Sequence, residues 1–342
     1  MTTEHTPSTP EHVVTAPAED APALRGVSAA IAPYFVRYGT LAAFALVVAF
    51  FSIARPDTFA TWGNWQSILN LGSVVIVMAG VLTVPMIMGD FDLSIGYHVQ
   101  VLGAFAVVSM ARWAVAPALG IPATILLGAV LGALIGAVVA YSRVSAFVIT
   151  LGAGTIMLGA ELKLTSNGQT IFEGIPNAYL DIANLSFLSL SLPVWIMFGI
   201  LIVLWFLTEH TVLGRYMAAI GGNMEAARLG GINVELVRIL GFMTVGIGAA
   251  LAGMIVTSQQ QQYYANGAVG YLLPAYAGVF LGAATLRAGQ FHIFGTFIGV
   301  MFMQTIQTGL IIMNYQAYIA NIIQGVVLIS AVLLSRVGAR AR

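Results

Sequence analysis

The chain has 342 residues, 59% of them hydrophobic and 8% charged, whereas soluble domains carry roughly a quarter charged residues because their surfaces face water. The 13 basic and 13 acidic residues cancel, so no net charge favours a nucleic-acid partner. The absence of cysteine excludes disulfides, thiolate metal sites and cysteine nucleophiles, and the composition as a whole excludes a soluble enzyme and predicts an integral membrane protein.

The predicted elements begin with a polar tail and continue with apolar helices. Residues 1–30 are predicted to form a disordered cytoplasmic tail, since 1–24 are rich in Pro, Thr, Ala and acid and contain no Lys or Arg. Residues 31–342 are predicted to form one all-α polytopic membrane domain with about ten transmembrane helices. The short apolar runs, and the pair divided by GDFDLS at 89–94, are compatible with broken or re-entrant segments. The apolar runs lie at 38–54, 66–88, 93–111, 119–141, 144–163, 190–208, 236–257, 271–286, 290–310 and 317–335.

The basic residues predict the orientation of these spans. Cytoplasmic loops of membrane proteins carry an excess of Lys and Arg. With an inside N-terminus and ten spans, the outside receives only Arg55, Arg112 and Lys163. We therefore expect both termini to be cytoplasmic. The predicted inside residues are Arg25, Arg37, Arg143, Arg215, Arg228, Arg238, Arg287, Arg336, Arg340 and Arg342.

The long inner loop at about 209–235 contains a short helical pattern. Its centre, NMEAARLGGI, predicts an amphipathic helix that Asn223 caps and that Gly230 or Gly231 ends. Glu225 and Arg228 are three residues apart, so they can meet on one helix face. Such a helix can project from the membrane domain as a docking element for a soluble partner, or it can be part of a solvated connecting loop. The pattern alone leaves both interpretations open.

The segment GDFDLS places Asp90 and Asp92 beside apolar spans. Acidic residues near a bilayer are costly and are therefore candidate functional residues. Carboxylates accept hydroxyl hydrogen bonds, which suits contact with a polyol or sugar. Alternatively, Ser94 or Asp92 caps the following helix. Capping is favoured for Ser94, and the role of Asp92 stays open.

Three spans carry polar residues at helical spacing. Such faces must point into the protein or into a water-filled pathway, because an unpartnered amide in lipid costs free energy. Interhelical hydrogen bonding explains any single residue, whereas three stripes together favour a hydrophilic path with Asn70, Gln304 and Gln307 as candidate contacts. The stripes are Gln66, Asn70 and Ser73; Gln304, Gln307 and Thr308; and Asn321 with Gln324.

Glycines recur every four residues in two spans, which predicts close helix packing. They are Gly128, Gly132 and Gly136 in one span, and Gly295 and Gly299 in another.

Several segments resemble the permease subunits of ribose-type, monosaccharide-importing bacterial ABC transporters. The segment LGRYMAAIGGNMEAARLGGINVELV at 213–237 is similar to the coupling loop of that family, and GDFDLSIG at 89–96 to its GGIDLSVG signature. The resemblance runs from about residue 59 to the C-terminus. It departs at Asp90, where a glycine is usual, and at 271–291, which lacks an acidic pair and has AATLRAGQF in place of GGTSLxGGxG. Further similar segments are RVSAFVITLGAGTIMLG, LPVWIMFGI and FGTFIGVMFMQTIQTGL.

The resemblance implies a subunit of the bacterial inner (plasma) membrane that works with other chains. Two permeases, either copies or paralogues, would form the pathway in the lipid, two cytoplasmic ATPases would dock on the coupling loops, and an extracytoplasmic binding protein would deliver the solute. The only lysine is Lys163, so no P-loop is present, and ATP and Mg²⁺ are expected on the ATPase rather than as cofactors of this chain. The implied coupling residues are Gly222, Asn223, Glu225, Ala226, Ala227, Arg228, Leu229 and Gly231.

The leading hypothesis is therefore a permease subunit for a small neutral sugar or polyol. The alternatives are a related permease for a nucleoside, autoinducer-2 or a branched-chain amino acid, and then an ion-coupled carrier. A membrane enzyme ranks last, because the sequence contains no Ser–His–Asp order, HExxH motif or metal-ligand spacing. The polar segment QQQQYY at 259–264 is expected outside, as a solvated loop or a contact of the binding protein.

Overall fold

The computed structural model describes residues 25–287 and 289–340. Most of the predicted tail, 1–24, lies outside the described residues, and the first helix already begins at Arg25. The described helices are α1 (Arg25–Ala54), α2 (Trp62–Ile87), α3 (Ile95–Ala111), α4 (Pro117–Tyr141), α5 (Ala146–Leu164), α6 (Asn177–Leu180), α7 (Leu192–His210), α8 (Val212–Gly222), α9 (Met224–Leu229), α10 (Val234–Gln259), α11 (Leu272–Ala283), α12 (Ile293–Ile312) and α13 (Ala317–Arg340). A 3-10 turn, Val269–Tyr271, precedes α11, and strands β1 (Ser186–Phe187) and β2 (Leu190–Ser191) form an antiparallel hairpin.

Apolar helices dominate the described chain. Six of them, α2, α4, α5, α7, α10 and α12, are long and apolar enough to cross a membrane. Shorter apolar stretches lie at Tyr38–Ala54, Ile95–Ala111, Val269–Ala283 and Tyr318–Val327. Each predicted apolar run falls on a helix, so the all-α polytopic membrane class is confirmed.

Glycine contacts hold two pairs of helices at close range. The backbone of Gly128 on α4 faces that of Gly246 on α10, and a Cβ at either position would overlap the other's carbonyl oxygen. Gly295 on α12 meets the backbone of Gly282 on α11 in the same manner. Small residues let helix backbones approach closely in a bilayer. The predicted close-packing role of the two glycine series is confirmed.

The bundle has two ends that matter for function. Helix α10 has 26 residues and so spans ~39 Å. Its first residue, Val234, follows α9, and we call this side the α9 end. Its last residue, Gln259, leads into the segment 260–271, and we call that side the far end.

We predict that Gly246→Ala destabilises the protein by about 1–3 kcal/mol, because the added methyl group must force α10 away from α4. Thermal unfolding of the purified protein in detergent measures this loss. The matched control is Gly152→Ala on α5, where nothing lies within 4 Å of an added Cβ. The control should keep or slightly raise the unfolding temperature, and equal behaviour of the two variants would contradict the packing interpretation.

Candidate functional site

The helix α9 forms as the sequence predicts. The Asn223 side chain accepts a hydrogen bond from the Ala226 backbone N–H at 3.0 Å, which caps the first turn. The helix ends at Gly230, and Gly231 follows with φ of 86°, a left-handed conformation that glycine adopts without strain. Sequence inspection missed α8, the preceding helix, whose cap is Thr211 accepting from the Gly214 N–H at 3.2 Å. The inner loop therefore consists of two short helices, α8 and α9, that are largely exposed.

Charged side chains fix α9 against α10. The predicted Glu225–Arg228 ion pair is present at 3.0 Å. Arg228 also donates to Glu235 in the first turn of α10 at 2.7 Å, and this hydrogen bond raises the pKa of the guanidinium above its usual value. Arg228 is therefore charged at any physiological pH and joins the two helices.

Most of the predicted coupling residues face outward. Ala227 differs, because it is buried with 7% exposure and packs into the core, where it anchors α9. Leu229 is 89% exposed, which leaves a large apolar side chain uncovered beside charged neighbours. An apolar tip with a charged rim is typical of a protein contact surface. The exposed members are Gly222, Asn223, Glu225, Ala226, Arg228, Leu229 and Gly231.

A cavity of about 750 Å³ lies between α2, α11, α12, α13 and the segment 264–271. Two of the predicted polar stripes face this space together, and the Gln324 amide donates to Gln307 across it at 3.4 Å. Two of the predicted pathway residues, Gln304 and Gln307, therefore line one cavity. The polar lining residues of the two helices are Gln304, Gln307, Thr308, Asn321 and Gln324.

The described walls of the cavity combine polar and apolar side chains and carry no charged one. Tyr264 and Tyr271 contribute aromatic rings from the far end, and Leu71 and Val75 contribute an apolar wall from α2. Among the described residues that line the cavity, none is acidic or basic. Amides and hydroxyls both donate and accept hydrogen bonds, so this lining suits a neutral solute with many hydroxyl groups.

The stripe on α2 does not line the cavity. The Asn70 Oδ1 atom accepts from Ser191 Oγ at 2.7 Å and from Gln259 Nε2 at 3.1 Å. Gln259 also donates to Ser73 Oγ at 3.2 Å, and Gln66 donates to the Ser189 carbonyl. For Asn70 the interhelical interpretation therefore describes the structure. In the segment 259–264, Gln259 and Tyr263 are held by the bundle, whereas Gln261 and Tyr264 are exposed.

The predicted pathway residue Asp90 is engaged in an ion pair. Both carboxylate oxygens accept hydrogen bonds from Arg238 of α10, at 2.7 and 2.8 Å. The two side chains are 9% and 11% exposed. Neither residue lines the cavity. The carboxylate that was expected to contact a solute is instead bound to a guanidinium.

The predicted pathway residues Asp92 and Ser94 form a buried hydrogen-bond cluster. Asp92 Oδ1 accepts from the Ser94 N–H at 2.8 Å and from the Ser94 hydroxyl. That hydroxyl also lies 3.2 Å from His98 Nδ1. Ser94 stands at the N-cap position of α3 but makes no side-chain capping bond, so the capping role expected for it is wrong. Its hydroxyl orders the Asp92 carboxylate instead.

Sequence inspection missed the residues that hold the far-end wall of the cavity. Gln100 of α3 donates to the Tyr264 carbonyl at 3.0 Å and accepts from the Ala268 N–H at 2.8 Å. Buried Glu161 of α5 accepts from Gln100 at 3.3 Å and from the Tyr263 hydroxyl. A lone amide and a lone acid in two apolar helices are the signal that would have identified them. One buried amide thus fixes both ends of a cavity-lining segment.

Comparison with known proteins is consistent with this architecture. Residues 64–332 match the family described as "Branched-chain amino acid transport system / permease component". The ribose import permease protein of Haemophilus influenzae is 31% identical over 306 residues, which cover 89% of this chain and 94% of that protein. The Escherichia coli K12 ribose import permease is 33% identical over 300 residues (86% and 92%), and its D-allose transport system permease is 29% identical over 304 residues (89% and 92%). No solved structure matches. The chain therefore belongs to this family of ABC transporter permease components and is a multi-pass protein of the inner membrane.

Proposed function

We propose that this permease carries a small neutral sugar or polyol through the cavity between α11, α12 and α13. The observation that carries the proposal is the uncharged lining of amides, hydroxyls and two tyrosines. Each sugar hydroxyl both donates and accepts, and the amides of Gln304 and Gln307 can meet either need. The volume of about 750 Å³ lies within the usual range for small-molecule sites. Relatives named for ribose, allose, arabinose and xylose transport support a sugar, while one further relative is named for autoinducer 2 import.

A branched-chain amino acid is the second candidate, because the family description names that class. Its carboxylate and ammonium groups need counter-charges in a low-dielectric site. The lining residues offer no charged side chain, although the N-terminus of α11 at Tyr271 supplies a partial positive charge. None of the described residues that line the cavity is an anionic partner for the ammonium group. The cavity therefore favours the neutral solute.

The proposed topology places ten helices across the membrane, with both termini and α9 in the cytoplasm. Helices α1, α3, α11 and α13 contain the shorter apolar stretches and would complete the six long spans. The far end would then receive solute from an extracytoplasmic binding protein. A second permease, either a copy or a paralogue, would complete the pathway.

Energy for transport would arrive through α9. The chain contains no P-loop, so ATP and Mg²⁺ would be bound by a separate cytoplasmic ATPase. The exposed Leu229 tip and the charged Glu225 and Arg228 would seat in that partner. Ala227, which is buried, would hold the helix to the bundle during each cycle.

Affinity purification of this chain from its native membrane, followed by mass spectrometry, tests the proposal. We expect a P-loop ATPase and an extracytoplasmic binding protein in the eluate, and that binding protein can be titrated with ribose, allose, arabinose and xylose. Vesicles containing the chain alone should not accumulate sugar. Uptake by the chain alone that stops when the ion gradient collapses would instead establish an ion-coupled carrier.

We predict that Gln307→Ala raises the sugar concentration for half-maximal uptake by about fivefold, since a lost neutral hydrogen bond costs about 1 kcal/mol. The variant also releases Gln324 from its contact with Gln307. Radiolabelled ribose uptake into proteoliposomes containing the full complex measures the change. The control Gln316→Ala alters an exposed amide outside the cavity lining and should leave uptake unchanged. Equal uptake by both variants would remove Gln307 from the pathway.

We predict that Arg228→Glu uncouples ATP hydrolysis from uptake while the protein still inserts into the membrane. The reversed charge repels Glu225 and Glu235 and releases α9 from α10. Parallel measurement of uptake, ATPase activity and membrane yield checks this outcome. Arg55→Glu, an exposed substitution just after α1, is the matched charge reversal and should transport normally. Normal transport by the Arg228 variant would show that α9 is not the coupling element.

A further inference from the structure

The ion pair between Asp90 and Arg238 joins parts of the chain that are 148 residues apart. Arg238 Nε donates to Asp90 Oδ2 at 2.8 Å, and Nη2 donates to Oδ1 at 2.7 Å. The third nitrogen, Nη1, donates to the Val139 carbonyl near the end of α4 at 3.1 Å. The guanidinium therefore holds the 88–94 segment, α4 and α10 in one fixed geometry.

Stability alone is a weak reason for such a pair. Removing two charges from water costs free energy that their attraction barely repays, and apolar residues of similar volume often serve as well. A bidentate guanidinium–carboxylate contact does, however, impose a direction that apolar packing does not. The pair therefore fixes orientation more than it adds stability.

On the α10 side, the ion pair is connected to α9 through Glu235. Arg238 lies three residues after Glu235 on α10, so the two side chains share one helix face near the same end. Glu235 binds Arg228 of α9 at 2.7 Å. A displacement of α9 thus acts on the first turns of α10, where Arg238 is attached.

On the Asp90 side, the 88–94 segment contacts α11, which forms one wall of the cavity. The Phe91 ring, next to Asp90, stacks on Tyr276 of α11 with ring centroids 6.5 Å apart. The Tyr276 hydroxyl donates to the Asp92 carbonyl at 2.8 Å. Pro274 and Ala277, which flank Tyr276 on α11, line the cavity. A displacement of the 88–94 segment therefore acts on the helix that forms one wall.

We propose that Asp90 and Arg238 are positioning residues that transmit movement of α9 to the α11 wall of the cavity. The proposal rests on the proposed function, since it requires an ATPase that moves α9. The ion pair is the directional contact between α10 and the 88–94 segment, and that segment in turn contacts Tyr276 of α11. Without it, α10 would meet the 88–94 segment through non-directional packing such as Met88 against Gly241, which does not transmit a directed movement to the cavity wall.

The chain contains no cysteine, which allows a direct test by thiol accessibility. Leu273 lines the cavity and is 67% exposed, so Leu273→Cys reports on the α11 wall. The complex with its ATPase is treated with a small charged methanethiosulfonate reagent, with and without ATP plus vanadate. We expect trapping to change the modification rate of the reporter by about tenfold, within the range usual for coupled sites.

The decisive variant carries Asp90→Leu together with Arg238→Met, which removes both charges and leaves neither unpaired. We expect an unfolding temperature close to that of the reporter chain, normal ATPase binding, and loss of the nucleotide effect on Cys modification. The single change Arg238→Lys keeps the charge but cannot make the bidentate contact, and it should weaken the effect. The control Arg287→Gln breaks the exposed pair with Glu209, found at 2.7 Å, and should keep the full effect.

The outcomes separate the two proposals. A full nucleotide effect in the apolar double variant would overturn the role of the ion pair while leaving the importer intact. A double variant that does not fold leaves Arg238→Lys as the deciding measurement, and a full effect there would likewise overturn it. A reporter chain that binds no ATPase and shows no nucleotide effect would instead refute the proposed function.

Discussion

Hydrocarbon offers no hydrogen bonds, and this constraint decides where the polar side chains of the helices lie. Thr83 of α2 and Thr296 of α12 hydrogen-bond each other at 2.8 Å inside the bundle, and Tyr179 bonds Thr257 at 2.6 Å. Asp92 and Glu161 each leave one carboxylate oxygen unpartnered in the described chain, while the other oxygen bonds Ser94, two residues on, for Asp92, and Gln100 of α3 for Glu161. The amides of Gln304, Gln307, Asn321 and Gln324 instead line the cavity, where Gln324 bonds Gln307. The cavity is thus the place where several helix amides gather within reach of a solute.

The described ion pairs and the uncharged residues that line the cavity lie in different parts of the bundle. The buried Asp90–Arg238 pair and the exposed Arg228 pairs lie at the α9 end, whereas the lining residues of the cavity carry no charge. A fixed charge in a low-dielectric cavity would favour counter-ions over neutral solutes and would bind them tightly. A pathway for neutral solutes therefore keeps charges away from its walls. The α9 end, where we propose that the ATPase docks, has no such restriction.

The sequence predicts the helices well and the side-chain partners poorly. Apolar length alone places the spans, and the Asn223 cap and terminal glycines place α9. Helix α8 escapes notice because Gly214, Gly221 and Gly222 resemble loop residues, although the backbone remains helical through them. The glycine spacing predicts close packing because it depends on one helix only. Local patterns of this kind are readable without knowledge of the fold.

Side-chain roles depend on what lies opposite, which local patterns do not contain. Asn70 and Gln307 look alike in the sequence, yet Asn70 bonds Ser191 and Gln259 inside the bundle. Gln307 instead lines the cavity, where it accepts a hydrogen bond from Gln324. From the sequence alone Asp90 resembles a solute ligand, but in the fold Arg238 of α10 binds its carboxylate. Helical spacing predicts which face a residue occupies, but the fold decides which neighbour that face receives. The fold thus placed Gln304 and Gln307 on the cavity and gave Asn70 and Asp90 other contacts.

The two sets of glycine contacts define two closely packed helix pairs, which we call bodies. Helices α4 and α10 are locked by Gly128 and Gly246, and α11 and α12 by Gly282 and Gly295. Between these bodies lie α2, whose apolar side chains such as Val81 pack against Gly248 of α10, and the 88–94 segment, which holds Tyr276 of α11 by a hydrogen bond and stacked rings. Close-packed backbones resist sliding, whereas single hydrogen bonds can be exchanged during a shear movement. Because the cavity is bounded by the α11–α12 body and α9 is attached to the α4–α10 body, a relative shift of the two would couple the partner at one end to the solute at the other.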